Sequence, residues 1–210
     1  MRVPLFHALL RGGIGDMMAG TSARNVAVGR PNLEVSGGIL VAPTGSTRPT
    51  DAATTLDAAY VPLGYVGEDG VTETSERSTE EIRAWGGVKV RTVQTEYGCS
   101  ISLTLIESRR AETLRAVFGD ENVVVSGGVI AVKRNEKVLP HRQWVIDMKD
   151  GENARRLDIG YGQITEVGDV TYVDGEAISY EVTISCDPDD NGDSLIEYLS
   201  DPEGDGSGEG

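Results

Sequence analysis

Alternation of apolar and polar side chains is the dominant pattern along the chain. In "CSISLTLIE", Cys99, Ile101, Leu103 and Leu105 fall on one face, and Ser100, Ser102 and Thr104 on the other. "ISYEVTISC" repeats the pattern: Ile178, Tyr180, Val182, Ile184 and Cys186 oppose Ser179, Glu181, Thr183 and Ser185. Each stretch predicts a strand with one buried and one wet face. "GGILVAP" is a short apolar run stopped by Pro43, and "STRPTDAATTLDAA" reads as a loop with Pro49 and Asp51 as turn formers. "YVPLGYV" resumes extended structure. "GVTETSE" and "GVKVRTVQTEY" read as the arms of a long hairpin, with Ser75 to Gly87 at its tip.

One helix stands out in "ESRRAETLRAVFG". Ser108 is the expected N-cap, Ala111, Leu114, Val117 and Phe118 form a stripe, and Gly119 is the C-terminal stop. "NVVVSGGVIAVKR" predicts a hairpin turning at Gly127 and Gly128. Three further extended stretches follow: "RQWVIDMK", "RRLDIGYGQITEV" and "DVTYVDGEAISYEVTIS". Nine or ten strands and one helix predict a mainly β protein, a two-sheet β-sandwich or barrel with one flanking α-helix.

At 210 residues the chain suits one substantial domain. We divide it into residues 18–186 as the β domain, 1–17 as a disordered leader and 187–210 as a largely disordered acidic tail. The leader mimics a signal peptide, but Pro4 and His7 break its apolar patch and no A-x-A site follows. It reads instead as an upstream start-site extension, with translation expected to begin at Met17 or Met18. No apolar run is long enough to span a membrane as a helix. Net charge is −15, and the nine acids from Asp187 to Gly210 face no base. Such a surface disfavours DNA wrapping or sequence reading, while permitting DNA to slide past.

Catalytic chemistry is thin. His7 and His141 are the two histidines, and neither has the setting of a nucleophile elbow. Carboxylates are abundant enough for paired-acid glycoside hydrolysis, but the few aromatics fit core positions better than a sugar platform. Cys99 and Cys186 read as buried free thiols rather than a disulfide scaffold or metal site. "GGIGD" has no Lys-Ser/Thr after it and no strand before it. In "DPDDNGDSLIEY", Asp187, Asp189, Asn191 and Asp193 have the spacing of a calcium loop. The closing acid is misplaced, however, since Tyr198 stands where a Glu is needed and Glu197 comes one residue early. No cofactor is expected.

Three stretches stand in order between Asn25 and Gly119: "NVAVGRPNLEVSGGILVAPTGSTRPTDAA", "YVPLGYVGEDGVTETSERSTEEIRAWGG" and "VRTVQTEYGCSISLTLIESRRAETLRAVFG". Through them the chain resembles the major tail tube proteins of long-tailed siphophages that infect actinobacteria. Gly87-Val88-Lys89-Val90 departs from part of the family phrase after "WGG", and residues 1–17 have no expected counterpart. The resemblance implies a non-enzymatic virion protein of the tail, assembled in the host cytoplasm. Six subunits would form a ring, and rings would stack into a tube that carries the genome. The implied partners are further copies of itself, a tape-measure protein, a tail terminator and distal tail proteins, with DNA passing through the lumen unbound and no membrane contact.

Two sets of residues fit that implication. Ser100, Ser102, Thr104, Ser179, Glu181, Thr183 and Ser185 carry no base and are candidates to face the lumen. Glu73, Glu76, Arg77, Glu80, Glu81, Ile82, Arg83 and Trp85 are candidates for a contact between rings, with charges setting register and Ile82 and Trp85 as anchors. Against this, Trp85 could fold back on its own sheet. A tube-completion protein, a capsid decoration protein, and a secreted acidic binding module or hydrolase are the other readings.

Overall fold

A computed structural model describes residues 26–34 and 37–200. The nine strands of the described residues are β1 (Gly38–Pro43), β2 (Val61–Arg83), β3 (Lys89–Leu105), β4 (Val123–Ser126), β5 (Val129–Val132), β6 (Arg142–Asp150), β7 (Asn153–Val167), β8 (Tyr180–Cys186) and β9 (Ile196–Leu199). The single α-helix among them is α1 (Ala111–Phe118). One sheet runs β6-β1-β2-β3-β8-β7-β9, and β6 also pairs with β7. β1, β2, β3, β8, β7 and β6 therefore close into an antiparallel barrel, which removes most of the free edges of an open sheet. β4 and β5 form a separate hairpin turning at Gly127 and Gly128, both at positive φ, as the sequence predicts.

Period-two patterning fills the barrel. Ile101, Leu103, Leu105, Val182 and Ile184 point inward with Ile39, Val41, Leu63, Trp144, Ile146 and Ile159. The indole N–H of buried Trp144 donates to the Gly162 carbonyl at 3.1 Å. Gly162 has no side chain because a Cβ there would lie 2.7 Å from the Trp144 ring. Helix α1 adds Leu114, Ala116 and Val117 to this core. Phe118 meets Tyr180 edge to face, with ring centroids 5.4 Å apart.

The outer face of β1, β6 and β7 is covered by the chain between β1 and β2. Leu56, Ala59 and Tyr60 pack there on Leu40, Ala42 and Val145. The remaining contacts are ionic. Arg156 donates to the carbonyls of Asp51 and Thr54, each at 3.0 Å, and approaches Asp147 at 3.4 Å. Arg48 pairs with Asp158 at 2.8 Å and also with Asp189. Gly160 leaves room for Arg48, whose guanidinium would sit 2.6 Å from a Cβ. Burial outweighs the attraction of Arg48 and raises the Asp158 carboxyl above its ordinary value.

Several expectations need correction. Ser75 to Arg83 belongs to β2 rather than to a loop tip, because each residue pairs with β3. The tip is the turn at Ala84–Val88, where the Ala84 N–H donates to the Val88 carbonyl and Gly86 and Gly87 take positive φ. Ser108 does not cap α1. Arg110 is the cap residue and makes no side-chain cap bond. Glu107 organises this corner instead, accepting from the Tyr65 N–H at 3.0 Å and from Arg110 at 2.9 Å. Residues 168–179 form a loop, so Ile178 and Ser179 precede β8 rather than lie within it. The segment 187–200, expected as the start of a disordered tail, carries β9, which pairs with Arg155–Asp158. Residues 1–17 and 201–210 lie outside the described residues.

Candidate assembly interface

The wet face of the barrel is built by register. Ser100 lies opposite Ser185, Ser102 opposite Thr183 and Thr104 opposite Glu181. The Ser102 and Thr183 hydroxyls are 3.3 Å apart. Thr74 and Thr72 extend the row on β2, opposite Ser100 and Ser102, and Gln163 on β7 faces Ser185. The result is a continuous face of hydroxyls and amides with one acid, Glu181, and no Lys or Arg among these positions. Ser179 sits just before the row, half-buried, in the loop that enters β8.

Beyond Cys99 the β2–β3 pair leaves the barrel. From Thr72 to Arg83 and from Lys89 to Gly98 every residue is exposed except the half-buried Val93. Arm residues Glu76, Arg77, Glu80, Glu81, Ile82 and Arg83 thus stand on one outstanding ribbon, whereas Glu73, exposed but opposite Ile101, sits at the barrel's end. Its internal contacts are local: Arg77 stacks over the Tyr97 ring at 4.7 Å and donates to Gln94 at 3.0 Å, and Glu81 pairs with Arg83 and, at 2.7 Å, with Lys89. Trp85, in the turn, is fully exposed and does not fold back on its own sheet, and Ile82, Val88 and Val90 are exposed beside it. A two-stranded ribbon with no covering layer is marginal in water and gains stability when a neighbour covers it.

The acidic candidates are occupied differently. The Asp187 carboxylate lies 2.8 Å from His141 Nε2 and accepts from the Ser185 hydroxyl at 2.8 Å. Burial pushes its carboxyl up, but those two bonds outweigh the push and hold it below the usual range. Asp189 pairs with Arg48 and accepts from the backbone N–H groups of Asn191 (2.9 Å) and Asp193 (3.1 Å). Arg48 holds its carboxyl low, with burial opposing and those backbone bonds assisting. This segment acts as a tether between the barrel's outer face and β9. Among the described residues no group of three His, Cys, Asp or Glu side chains is arranged to hold a metal.

His141 stacks on Tyr161 with centroids 3.9 Å apart, which places it in the same tether. Cys99 and Cys186 are buried free thiols at the end of the barrel from which the arm leaves. Burial raises the Cys186 thiol far above its ordinary value, so it is a poor nucleophile. Sequence reasoning missed the buried charges Asp147, Arg156 and Asp158 and the half-buried Arg48 beside them. A signal was present in "RRLDIGYGQ". Arg156, Asp158 and Gly160 share one face of β7 while Leu157 and Ile159 share the other, and a strand glycine beside charges marks a close approach.

Among solved structures, the chain is similar to the tube-terminating cap of the anti-feeding prophage. Identity is 11%, coverage 87% of this chain and 100% of that one, and TM-score 0.46. It is also similar to the sheath/tube terminator of an extracellular contractile injection system, PVC, in the extended state. Here identity is 10%, coverage 82% and 95%, and TM-score 0.44. The sheath-tube complex of that system matches at 12% identity over 86% and 99% of the two chains, with TM-score 0.38. No curated protein matches the chain. The sequence model of the family described as phage tail tube protein matches residues 34–205, most of the chain and all of the barrel. The chain belongs to the phage tail tube protein family, and is a structural component of the virion tail rather than an enzyme.

Proposed function

We propose that six copies close into a ring and that rings stack into the tail tube through which the genome leaves the virion. One observation carries this reading: the β2–β3 ribbon leaves the barrel exposed on both faces and ends on an exposed tryptophan. Such an arm is complete only when a neighbour covers it. Glu73, Glu76, Arg77, Glu80, Glu81 and Arg83 set register between rings, and Ile82 and Trp85 anchor them.

The Ser/Thr face on β3 and β8 lines the lumen. Phosphate binding grows with each Lys or Arg that displaces a counterion, so a wall of hydroxyls and Glu181 lets DNA slide. The tube polymerises in the host cytoplasm around a tape-measure protein, with terminator and distal proteins closing its ends. The experiment is negative-stain microscopy of the full chain, with mass photometry over a concentration series. Rings and hollow tubes with six-fold symmetry are expected. Shell-like particles, trimers, or a chain that stays monomeric at every concentration would contradict the proposal.

A further inference from the structure

Stacking by an arm requires a receiving surface at the opposite end of the subunit, and the strand directions locate that end. The arm leaves β3 past Cys99, whereas the β7–β8 loop enters β8 at Tyr180, opposite Leu105. Arm and loop therefore lie at opposite ends of the same strand pair. At about 3.3 Å per residue, the arm from Cys99 to Lys89 reaches roughly 30 Å past the barrel. That is longer than the wall from Cys99 to Leu105, at roughly 20 Å.

The two ends are also complementary in charge. Residues 81–91 carry three bases, Arg83, Lys89 and Arg91, against one acid, Glu81, which pairs with Arg83 and Lys89. The tip thus keeps a surplus of two positive charges in a chain of net charge −15. Residues 166–176 contain four acids, Glu166, Asp169, Asp174 and Glu176, and no base. All four acids are exposed, and none has an ion-pair partner among the described residues. The loop has its own exposed apolar pair, Tyr172 and Val173. It is braced from behind, because Arg134 reaches the Tyr172 hydroxyl at 3.4 Å while stacking over Phe118 at 4.7 Å.

We propose that the basic tip of one copy's arm docks on the acidic β7–β8 loop of a second copy, with Trp85 packing against Tyr172 and Val173. This rests on the stacked-ring reading and names the receiving surface within it. Such a contact joins two different patches of the same chain, so it propagates head to tail and builds an open filament rather than a closed dimer. Its ionic part is exposed, so salt near 1 M weakens it.

The test mixes two full-length variants, Val88→Cys in the arm's turn and Val173→Cys, with a short bismaleimide, so that Trp85 stays in place. Val125→Cys, on the exposed β4–β5 hairpin, replaces Val173→Cys as control. The expected result is at least tenfold more cross-linked pair with Val173→Cys than with the control. Reversing Arg83, Lys89 and Arg91 to Glu should abolish tubes, and reversing Asp169, Asp174 and Glu176 to Lys in the same chain should restore them. Tubes in the microscope with no excess cross-link at Val173 would overturn the receiving surface and leave the stacked-ring reading standing. Mixtures with neither rings nor cross-links would overturn both.

Discussion

The two halves of the β2–β3 hairpin share one pairing pattern and differ in almost everything else. Inside the barrel, Leu63, Ile101, Leu103 and Leu105 are buried on one face, and hydroxyls occupy the other. Beyond Cys99 the same ladder continues, but no core face exists. Backbone pairing is local and can extend as far as two strands run side by side, whereas stability comes from burying a face. The barrel therefore supplies the subunit's stability, and the exposed arm adds little to it.

The largest expected effects lie in the barrel. Trp144→Ala removes a buried indole and its bond to Gly162, and should cost about 3–5 kcal/mol by chemical denaturation. Arg156→Met should cost about as much, because it strands the buried Asp147 carboxylate and frees the loop that covers β1 and β6. Gly162→Ala should cost about 1–3 kcal/mol, since the new Cβ meets the Trp144 ring. Trp85→Ala should leave subunit stability within about 0.5 kcal/mol, as for exposed surface positions, yet abolish tubes. Equal stability losses at Trp85 and Trp144 would erase the distinction between the halves.

Acid sharpens the comparison further. Asp51 caps the covering loop, and the Thr54 hydroxyl first, then the Thr54 and Ala53 amides, hold its carboxyl down at about 2. A depressed carboxyl adds stability above its ordinary pKa, and that stability is lost as pH falls through the folded value. The Asp51 contribution should fade between about pH 4 and pH 2, with Asp187 and Asp189 fading in the same direction. Asp158 acts with the opposite sign: its raised carboxyl costs stability as pH rises above the ordinary carboxylate value. Carboxyl titration followed by NMR should give Asp51 near 2, and an ordinary value would remove its cap.

The same contrast explains what the sequence could reveal. β3 and β8 are legible because each buries one face, so their apolar residues alternate. The arm is illegible from Ser75 to Arg83, since strands without a core leave no period-two signal, and the stretch reads as a loop. β7 was legible as a strand, but its charged outer face hid the closure with β6 and the cover that Arg156 and Arg48 hold in place. β9 is concealed in an acidic segment whose composition suggests a solvated tail, because its pairing depends on a distant strand. Trp85 is conspicuous in sequence as a tryptophan among glutamates, and its exposure gives that oddity a physical sense.

Amide hydrogen exchange of the full chain, compared between free subunits and assembled tubes, tests the central claim most directly. Amides of Ile101–Leu105 should be strongly protected in both states. Amides of Glu76–Arg83 and Lys89–Glu96 should exchange rapidly in the free subunit and become protected on assembly. Arm amides already as protected as the barrel in the free subunit, or still unprotected in tubes, would contradict the account.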